Sequence, residues 1–185
     1  MQITGIILSG GQSTRMGTDK ALLQIKGKTL LERAVEICNP VCNAILISSN
    51  NPEHGKYGYP VIADEIQDCG PLCGIYSCLK HSETDWNLVV SVDSAFVTQD
   101  FVEFLISEIG DFDAIIPVHK NGKEPLIALY HKNCIQAINE RIKLNDYKMH
   151  NLLNILNTKF TNVDSWIKKN PGIFKNLNRP EDFIF

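Results

Sequence analysis

The residues with the clearest chemistry lie in a glycine-rich segment that follows the first apolar run of the chain. Residues 8–20 read Leu-Ser-Gly-Gly-Gln-Ser-Thr-Arg-Met-Gly-Thr-Asp-Lys, directly after the apolar residues 5–7. Glycines let backbone N–H groups approach an anion closely, and consecutive amides in such a turn form a concave anion-binding nest. Arg15 and Lys20 add positive charge, one as a planar fork and the other as a point charge. The segment therefore predicts a polyphosphate-binding loop.

The glycine spacing separates this segment from the two commonest phosphate loops. A Walker A loop requires Gly-x-x-x-x-Gly-Lys-Ser/Thr, but Gly11 and Gly17 are too far apart and no Lys-Ser or Lys-Thr follows Gly17. The Rossmann fingerprint requires Gly-x-Gly-x-x-Gly, and the sequence after Gly10 breaks it. A dehydrogenase of the Rossmann type is therefore disfavoured.

Polar side chains also follow the later apolar runs of the chain, at the points where predicted strands end. These runs occupy residues 44–47, 61–62 and 88–92. In sheets of parallel strands, ligands bind past the carboxyl ends of the strands, so we expect these side chains to converge with the glycine-rich loop. Each also has a plain structural alternative, because Asn and Asp are common turn formers. The candidates are Ser48, Asn50, Asp64 and Asp93.

Asp93 carries the strongest prediction among these strand-end residues. It follows five residues that should be buried in the sheet, and an acidic group in that place must be hydrated, paired or metal-bound. Mg²⁺ commonly takes one or two carboxylates together with substrate phosphates. We therefore predict that Asp93 is a Mg²⁺ ligand.

Apolar spacing alternates between short runs and helical stripes along most of the chain. The first run, residues 3–8, is continuous, which is typical of a parallel strand covered on both faces. The alternation predicts a three-layer α/β/α sandwich around a mostly parallel sheet, and the length fits one domain over residues 1–185. Residues 53–60 are predicted as a loop. Helices are predicted over 30–38 with Thr29 as N-cap, over 70–80, and around 102–106, 134–142 and 152–156, and later strands over 114–116 and 126–130.

Composition narrows the functional class further. The chain has 185 residues, of which 44% are hydrophobic and 21% charged, as in ordinary globular proteins. Its net charge of −3 does not indicate the clustered basic surface that nucleic-acid binding requires, so no nucleic-acid partner is expected. No apolar stretch is long enough for a membrane span and no export signal is evident, so we expect a cytoplasmic protein without a membrane partner.

The six cysteines lack the spacing of a zinc site. They lie at positions 38, 42, 69, 73, 78 and 134, and none forms a Cys-x-x-Cys pair. In a reducing compartment a buried cysteine behaves as a small apolar residue, which is the role predicted here. A reactive thiol cluster at Cys69, Cys73 and Cys78 is the alternative.

The early segment resembles the signature Leu-Ala/Ser-Gly-Gly-x-Ser-x-Arg-Met-Gly-x-Asp-Lys of the molybdenum cofactor guanylyltransferases, a family of the nucleotidyltransferase superfamily. The resemblance implies a Rossmann-like sheet of the nucleotide-diphospho-sugar transferase type. It covers nearly the whole chain, since further segments are similar to family segments in the same order. These segments are residues 26–32, 61–75, 91–96, 124–130 and 174–182.

The resemblance implies transfer of GMP from GTP to molybdopterin, with release of pyrophosphate. It implies that Mg²⁺ is held by Asp93, and that GTP and the molybdenum cofactor are bound, with a molybdoenzyme or cofactor-handling protein as a further partner. Arg15, Lys20 and Asp93 are then the catalytic residues. The nucleotide-binding residues are Leu8, Ser9, Gly10, Gly11, Lys20, Ser48, Asn50, Asp64 and Asp93, and the candidates for the second substrate are Asn176 and Asn178.

Two positions depart from the family pattern. Ala95 stands where proline is usual, and a proline there would stiffen the turn that aims the Asp93 carboxylate. Ser48 stands where asparagine is often found. These two departures keep open a non-catalytic nucleotide-binding protein that hands over the cofactor. A nucleotidyltransferase that uses another phosphate acceptor or CTP is a second alternative, since it would share the loop, Lys20 and Asp93. Related enzymes that use CTP carry Leu-Ala-Ala-Gly in place of Leu-Ser-Gly-Gly, so the extra glycine favours GTP.

Overall fold

The apolar run that precedes the glycine-rich segment forms a central strand of the main sheet. The computed structural model describes residues 1–10 and 19–177. The strands are β1 Ile3–Leu8, β2 Gln24–Ile25, β3 Lys28–Thr29, β4 Ala44–Ser48, β5 Val61–Ile62, β6 Trp86–Ser91, β7 Ala114–His119, β8 Gly122–Lys123, β9 Ile127–His131 and β10 Thr158–Asn162. The α-helices are α1 Leu30–Cys38, α2 Pro71–His81, α3 Gln99–Ser107, α4 Cys134–Lys143, α5 Met149–Leu153 and α6 Asp164–Lys169, and 3-10 helices span Lys20–Leu22 and Pro52–Tyr57.

The main sheet is mostly parallel, as the sequence predicts. Its strand order is β10-β7-β9-β6-β1-β4-β5, and β8 pairs with β7. The pairs of β1 with β4, β1 with β6, β4 with β5 and β7 with β10 are parallel. β9 is antiparallel to both neighbours, so β7 and β10 run in the same direction as β6. The carboxyl ends of β1, β4, β5 and β6 therefore share one edge.

Helices cover both faces of this sheet, which confirms the predicted α/β sandwich. Side chains alternate across β1, so Ile7 packs in a core with Leu31 of α1 and Phe101 of α3. Ile6 points the other way and packs in a second core with residues of α2 and α4, including Ile75. All of these side chains are buried, which fixes the sheet between its helices.

Local sequence signals explain where the first helices begin. Thr29 caps α1 in a capping box: its Oγ1 accepts from the Glu32 amide at 3.1 Å, and the Glu32 carboxylate accepts from the Thr29 amide at 2.7 Å. Helix α2 begins at Pro71, where the missing N–H has no helical partner to lose. Gly70, just before it, has a φ of +65°, a conformation that favours glycine.

The structure contains elements that the apolar pattern of the sequence does not predict. The stretch predicted as a loop contains the 3-10 helix Pro52–Tyr57, and the edge strand β10 and the short strand β8 are also additional. Strand β10 carries an exposed Phe160, so its apolar pattern is weak. None of the described helices is long and apolar enough to cross a membrane.

All six cysteines are free, and five of them are buried. Burial raises the pKa of Cys73, Cys78 and Cys134 to about 12, so these thiols stay protonated at neutral pH. A protonated thiol is a poor nucleophile. The burial and the raised pKa values fit the apolar packing role better than the reactive cluster.

Candidate active site

Backbone hydrogen bonds hold the ends of the central strands side by side. The Ser9 amide donates to the Ser48 carbonyl at 2.9 Å, which ties the end of β1 to the end of β4. The Val92 amide donates to the Leu8 carbonyl at 3.1 Å, which ties the end of β6 to β1 on the other side. The polar residues that follow these strands therefore meet at one edge of the sheet, as their positions in the sequence predict.

An ion pair joins the two charged residues to which the sequence assigns the central chemistry. Lys20 Nζ lies 3.3 Å from Asp93 Oδ2, and the two side chains are 19% and 23% exposed. The Ser91 hydroxyl donates to Asp93 Oδ1 at 2.6 Å. The Leu177 amide donates to the Asp93 carbonyl at 3.2 Å, which brings the C-terminal segment to the same place. The Lys20 ammonium and the Asp93 carboxylate thus meet, although they are far apart in the sequence, and both remain partly accessible to solvent.

The turn that carries Asp93 is held without the usual proline. The Ser94 amide donates to the Ser91 carbonyl at 3.0 Å and closes the turn. Ala95 is buried in the core beside α3. Together with the Ser91 hydroxyl on the carboxylate, these contacts aim Asp93. The departure at position 95 is therefore compatible with a fixed carboxylate.

The donor set around Asp93 suits a divalent cation that is shared with a phosphate ligand. One carboxylate oxygen accepts from Ser91 and the other faces the Lys20 ammonium, so a cation bound here would need the negative charge of a phosphate ligand to offset the nearby ammonium. Within residues 1–10 and 19–177, no three His, Cys, Asp or Glu side chains form a metal-binding group. Mg²⁺ accepts such a sparse protein set because phosphate and water oxygens complete its coordination. The residues present fit the cation.

A second polar cluster lies beside the first, between the end of β4 and helix α2. A Cβ atom built on Gly74 of α2 would collide with Ser48 Oγ and lie 3.4 Å from Asp64 Oδ1, so both polar groups reach the helix surface at this glycine. Partial burial raises the pKa of the Asp64 carboxyl, and hydrogen bonds with Asn50 and Ser48 lower it in part. Asn50 Oδ1 also accepts from the Asp64 amide at 3.0 Å.

We expect Gly74→Ala to weaken nucleotide binding with little change in stability. The new methyl group forces the Ser48 hydroxyl away from Asp64, and losing one such hydrogen bond weakens binding about tenfold. The gain in helix propensity, about 1 kcal/mol, offsets the steric cost. Titration calorimetry with GTP and thermal unfolding measure the two effects. Gly55→Ala is the matched control, since a Cβ there meets Val61 at an ordinary 3.9 Å. Equal GTP affinity of the Gly74 variant and the control would contradict the expectation.

We expect Asp64→Asn to stabilise the folded protein at neutral pH. The folded protein holds a proton on Asp64 more tightly than the unfolded chain does, because the pKa is raised from 3.8. The free energy of unfolding therefore falls as pH rises from about 3.8 through the raised pKa, and the variant lacks this loss. Thermal unfolding of both proteins between pH 3 and pH 8 should show a gain at high pH that disappears at low pH. A pH-independent difference would contradict this assignment.

The remaining predicted site residues divide between the described and undescribed parts of the chain. Leu8 is buried at the end of β1, and Gly10 is exposed beside it. Asn176 is exposed and adjoins Leu177, whose amide reaches Asp93. The glycine-rich residue Gly11, the catalytic candidate Arg15 and the second-substrate candidate Asn178 lie outside the described residues.

A polar network next to Lys20 is not predicted by any pattern in the sequence. His54 is fully buried, and its ring contacts both Ser9 and Asp19. Asn51 Nδ2 donates to Asp19 Oδ2 at 2.7 Å. Asp19 belongs to the glycine-rich motif, but a single histidine in a predicted loop gives no signal of this kind. Only the asparagine followed by proline at Asn51 marks a local turn.

Comparison with known proteins places these strand ends in a recognised domain. The family model described as "MobA-like NTP transferase domain" matches residues 5–160. The chain is 32% identical to the "Probable molybdenum cofactor guanylyltransferase" of Natranaerobius thermophilus, over 97% of this chain and 92% of that protein. It is 33% identical to the "Molybdenum cofactor guanylyltransferase" of Vibrio parahaemolyticus, over 98% of this chain and 93% of that protein.

A solved structure shows the same likeness in three dimensions. The "Molybdopterin-guanine dinucleotide biosynthesis protein A" from Archaeoglobus fulgidus superposes with a TM-score of 0.82 at 26% identity. The alignment covers 97% of this chain and 94% of the other. The carboxyl ends of β1, β4, β5 and β6 all fall inside the matched region.

Proposed function

Because this chain belongs to the family of MobA-like NTP transferase domains, we propose that it transfers GMP from GTP to molybdopterin and releases pyrophosphate. The chain is a nucleotidyltransferase enzyme. Relatives that align with nearly all of it are named molybdenum cofactor guanylyltransferases. The observation that carries the proposal is the Lys20–Asp93 pair at the strand-end edge, next to the cluster of Ser48 and Asp64. One cluster suits phosphates and the other suits the polar edge of a nucleoside.

In the reaction, a phosphate oxygen of molybdopterin attacks the α-phosphorus of GTP. The new P–O bond forms as the bond to the β-phosphate breaks, and pyrophosphate leaves with the electron pair. Because the nucleophile is already an anion, the site needs no strong general base. The chief barriers are repulsion between two anions and charge growing on the leaving group, so positioning and electrostatic stabilisation supply the catalysis.

The protein's cations oppose that charge. We propose that the Lys20 ammonium contacts the β- and γ-phosphates and stabilises the departing pyrophosphate. We assign the same task to Arg15, on its place in the motif. The ammonium is held near the ends of β1 and β6 by its contact with Asp93, so it is oriented before the nucleotide arrives. Gly10 would bring its backbone amide to the nucleotide just past the end of β1, and Ser9, whose own amide donates to the Ser48 carbonyl, would hold that end of the strand in place beside the nucleotide.

Asp93 would hold a divalent cation, which we propose is Mg²⁺. When bound, such a cation would supply positive charge against the phosphates of the nucleotide. Ser91 holds the Asp93 carboxylate in one orientation through its hydroxyl, so the protein supplies an aimed oxygen ligand. Asn176 is proposed to meet the second substrate, since the adjacent Leu177 amide donates to the Asp93 carbonyl, and Asn178 is assigned the same role on its place in the sequence alone. The Leu177 contact also supports one functional domain over residues 1–185, because Leu177 lies beyond the matched residues 5–160.

The nucleoside would lie past the end of β4, beside helix α2. The proposed contacts are the Ser48 hydroxyl and the Asp64 carboxylate, which accepts hydrogen bonds from the N–H groups of a guanine. Asn50 holds the Asp64 backbone and Leu8 packs below the cluster. The choice of GTP rests on the pair Gly10-Gly11, which replaces the bulkier pattern of CTP-using relatives.

The product would pass to a molybdoenzyme or a cofactor-handling protein. Free, buried cysteines fit a reducing compartment, so we place the reaction in the cytoplasm.

A pyrophosphate-release assay with GTP, Mg²⁺ and molybdopterin tests the proposed reaction. We expect one pyrophosphate for each guanine dinucleotide formed, and none when molybdopterin is omitted or the divalent cation is chelated. Release with CTP in place of GTP would indicate a cytidylyltransferase. Binding of GTP without any release would indicate the cofactor-handover alternative, and either result would contradict the proposal.

A further inference from the structure

A buried histidine connects the two described segments that flank residues 11–18. His54 lies in the 3-10 helix Pro52–Tyr57 and has no exposed surface. Its Nδ1 is 3.1 Å from Ser9 Oγ, and its Nε2 is 2.9 Å from Asp19 Oδ2. Ser9 follows β1 and Asp19 precedes Lys20 in the sequence. One imidazole ring therefore spans the beginning and the end of the glycine-rich motif.

The partners of the ring fix how its protons are arranged. A carboxylate oxygen accepts hydrogen bonds, so the tautomer that fits this contact has its hydrogen on Nε2, which donates to Asp19 Oδ2. Nδ1 then has a free lone pair and accepts the hydroxyl hydrogen of Ser9. Both ring nitrogens are used, and neither is free for another task. This arrangement is that of a bridge rather than that of an acid or base aimed at a substrate.

Asp19 connects the His54 ring to the backbone at Lys20. Its Oδ1 accepts from the Ala21 amide at 3.0 Å and caps the 3-10 helix Lys20–Leu22. Its Oδ2 accepts from Asn51 as well as from His54. The carboxylate is thus held from both sides, and the next residue in the chain is Lys20. Asp19 therefore holds the backbone from which the Lys20 side chain extends.

We propose that His54 is a positioning residue for triphosphate binding. It holds Ser9 and Asp19 at a fixed separation and thereby places the Lys20 ammonium where the phosphates of the nucleotide bind. The inference rests on the proposed function for the identity of the anion. A phenylalanine of similar size would fill the same core space, so packing alone does not require an imidazole at this position. Both of its hydrogen bonds lead to residues of the phosphate-binding motif.

Three substitutions separate the two hydrogen bonds of the ring. His54→Phe removes both and keeps the volume. His54→Asn retains an acceptor near the position of Nδ1 for Ser9, and His54→Gln retains a donor near the position of Nε2 for Asp19. Inorganic pyrophosphate is the probe, because it reports on phosphate binding without the guanine. We expect about 10- to 100-fold weaker binding of pyrophosphate by the Phe variant and smaller losses, about fivefold, in the other two.

Thr84→Val is the matched control for the loss of a buried hydrogen bond. The Thr84 hydroxyl donates to Thr4 Oγ1 at 2.8 Å, near the opposite end of β1. We expect this variant to melt at a lower temperature but to bind pyrophosphate as the wild-type protein does. A merely structural role for His54 would give the same pattern in His54→Phe, and that result would overturn the inference.

A double-mutant cycle tests whether His54 acts through Lys20. If it does, His54→Phe adds little to the loss of pyrophosphate affinity already caused by Lys20→Ala, because the group it positions is gone. Fully additive losses would overturn the inference. Wild-type protein that binds pyrophosphate but neither binds nor uses GTP would contradict the proposed function, while the comparison of the variants would still decide the role of His54.

Discussion

We expect Asp93→Ala to lower turnover by at least a factor on the order of 10²–10³ while the fold is retained. The substitution removes the carboxylate that would hold the divalent cation, so charge on the phosphates is no longer neutralised there. The loss of the ion pair with Lys20 should cost only about 1 kcal/mol of stability, since both side chains are partly solvated. The measurement is kcat for pyrophosphate release, with thermal unfolding as the check on folding.

Asp85→Ala is the matched control, because Asp85 directly precedes β6, whose other end leads to Asp93. It should leave kcat unchanged. In the absence of divalent cations, Asp93→Ala should bind GTP at least as tightly as the wild-type protein, because removing a negative charge near the phosphates outweighs the loss of the contact that orients Lys20. Near-normal turnover of the purified variant with Mg²⁺ would remove the metal-binding role assigned to Asp93.

Lys20→Ala should lower turnover by a similar factor, at least on the order of 10²–10³. Here the loss falls on the leaving pyrophosphate, whose growing charge would have no ammonium opposite it. GTP binding should also weaken, both with and without divalent cations, which distinguishes this variant from Asp93→Ala. Lys20→Arg should recover only part of the rate, because a planar guanidinium spreads its charge and does not reproduce the compact ammonium of lysine.

The control for this prediction is Lys28→Ala, which removes a lysine of ordinary surface exposure that is paired with Glu36. We expect wild-type kcat and GTP affinity from it. Steady-state kinetics and titration calorimetry on the three lysine variants give the comparison. If Lys20→Ala retained full GTP affinity and full rate, the phosphate contact assigned to Lys20 would be wrong.

Much of the fold follows from the sequence, because its apolar spacing is regular. The continuous run in β1 and the capping box at Thr29 and Glu32 are local signals, and they predict the central strand and the first helix. Asp93 could be predicted as part of a site since an acidic residue after a buried strand must find a partner, and the structure shows Lys20 as that partner. The exposed Phe160 hides the edge strand β10, whose side chains have little core to face.

The fine structure of the site depends on contacts that no local pattern encodes. His54 is separated from Ser9 by 45 positions and from Asp19 by 35, and its burial results from tertiary packing. The collision that a side chain at Gly74 would make with Ser48 likewise arises only when α2 packs on β4. The Ser91 hydroxyl is placed to orient Asp93 only after the turn at residues 92–93 has formed.

A crystal structure with a non-hydrolysable GTP analogue and Mn²⁺ is the most direct test of the central claim. We predict an anomalous Mn²⁺ peak at the Asp93 carboxylate, a phosphate oxygen within hydrogen-bond distance of Lys20 Nζ, and the guanine beside Ser48 and Asp64. A triphosphate bound away from Lys20, or Mn²⁺ bound without Asp93, would contradict it.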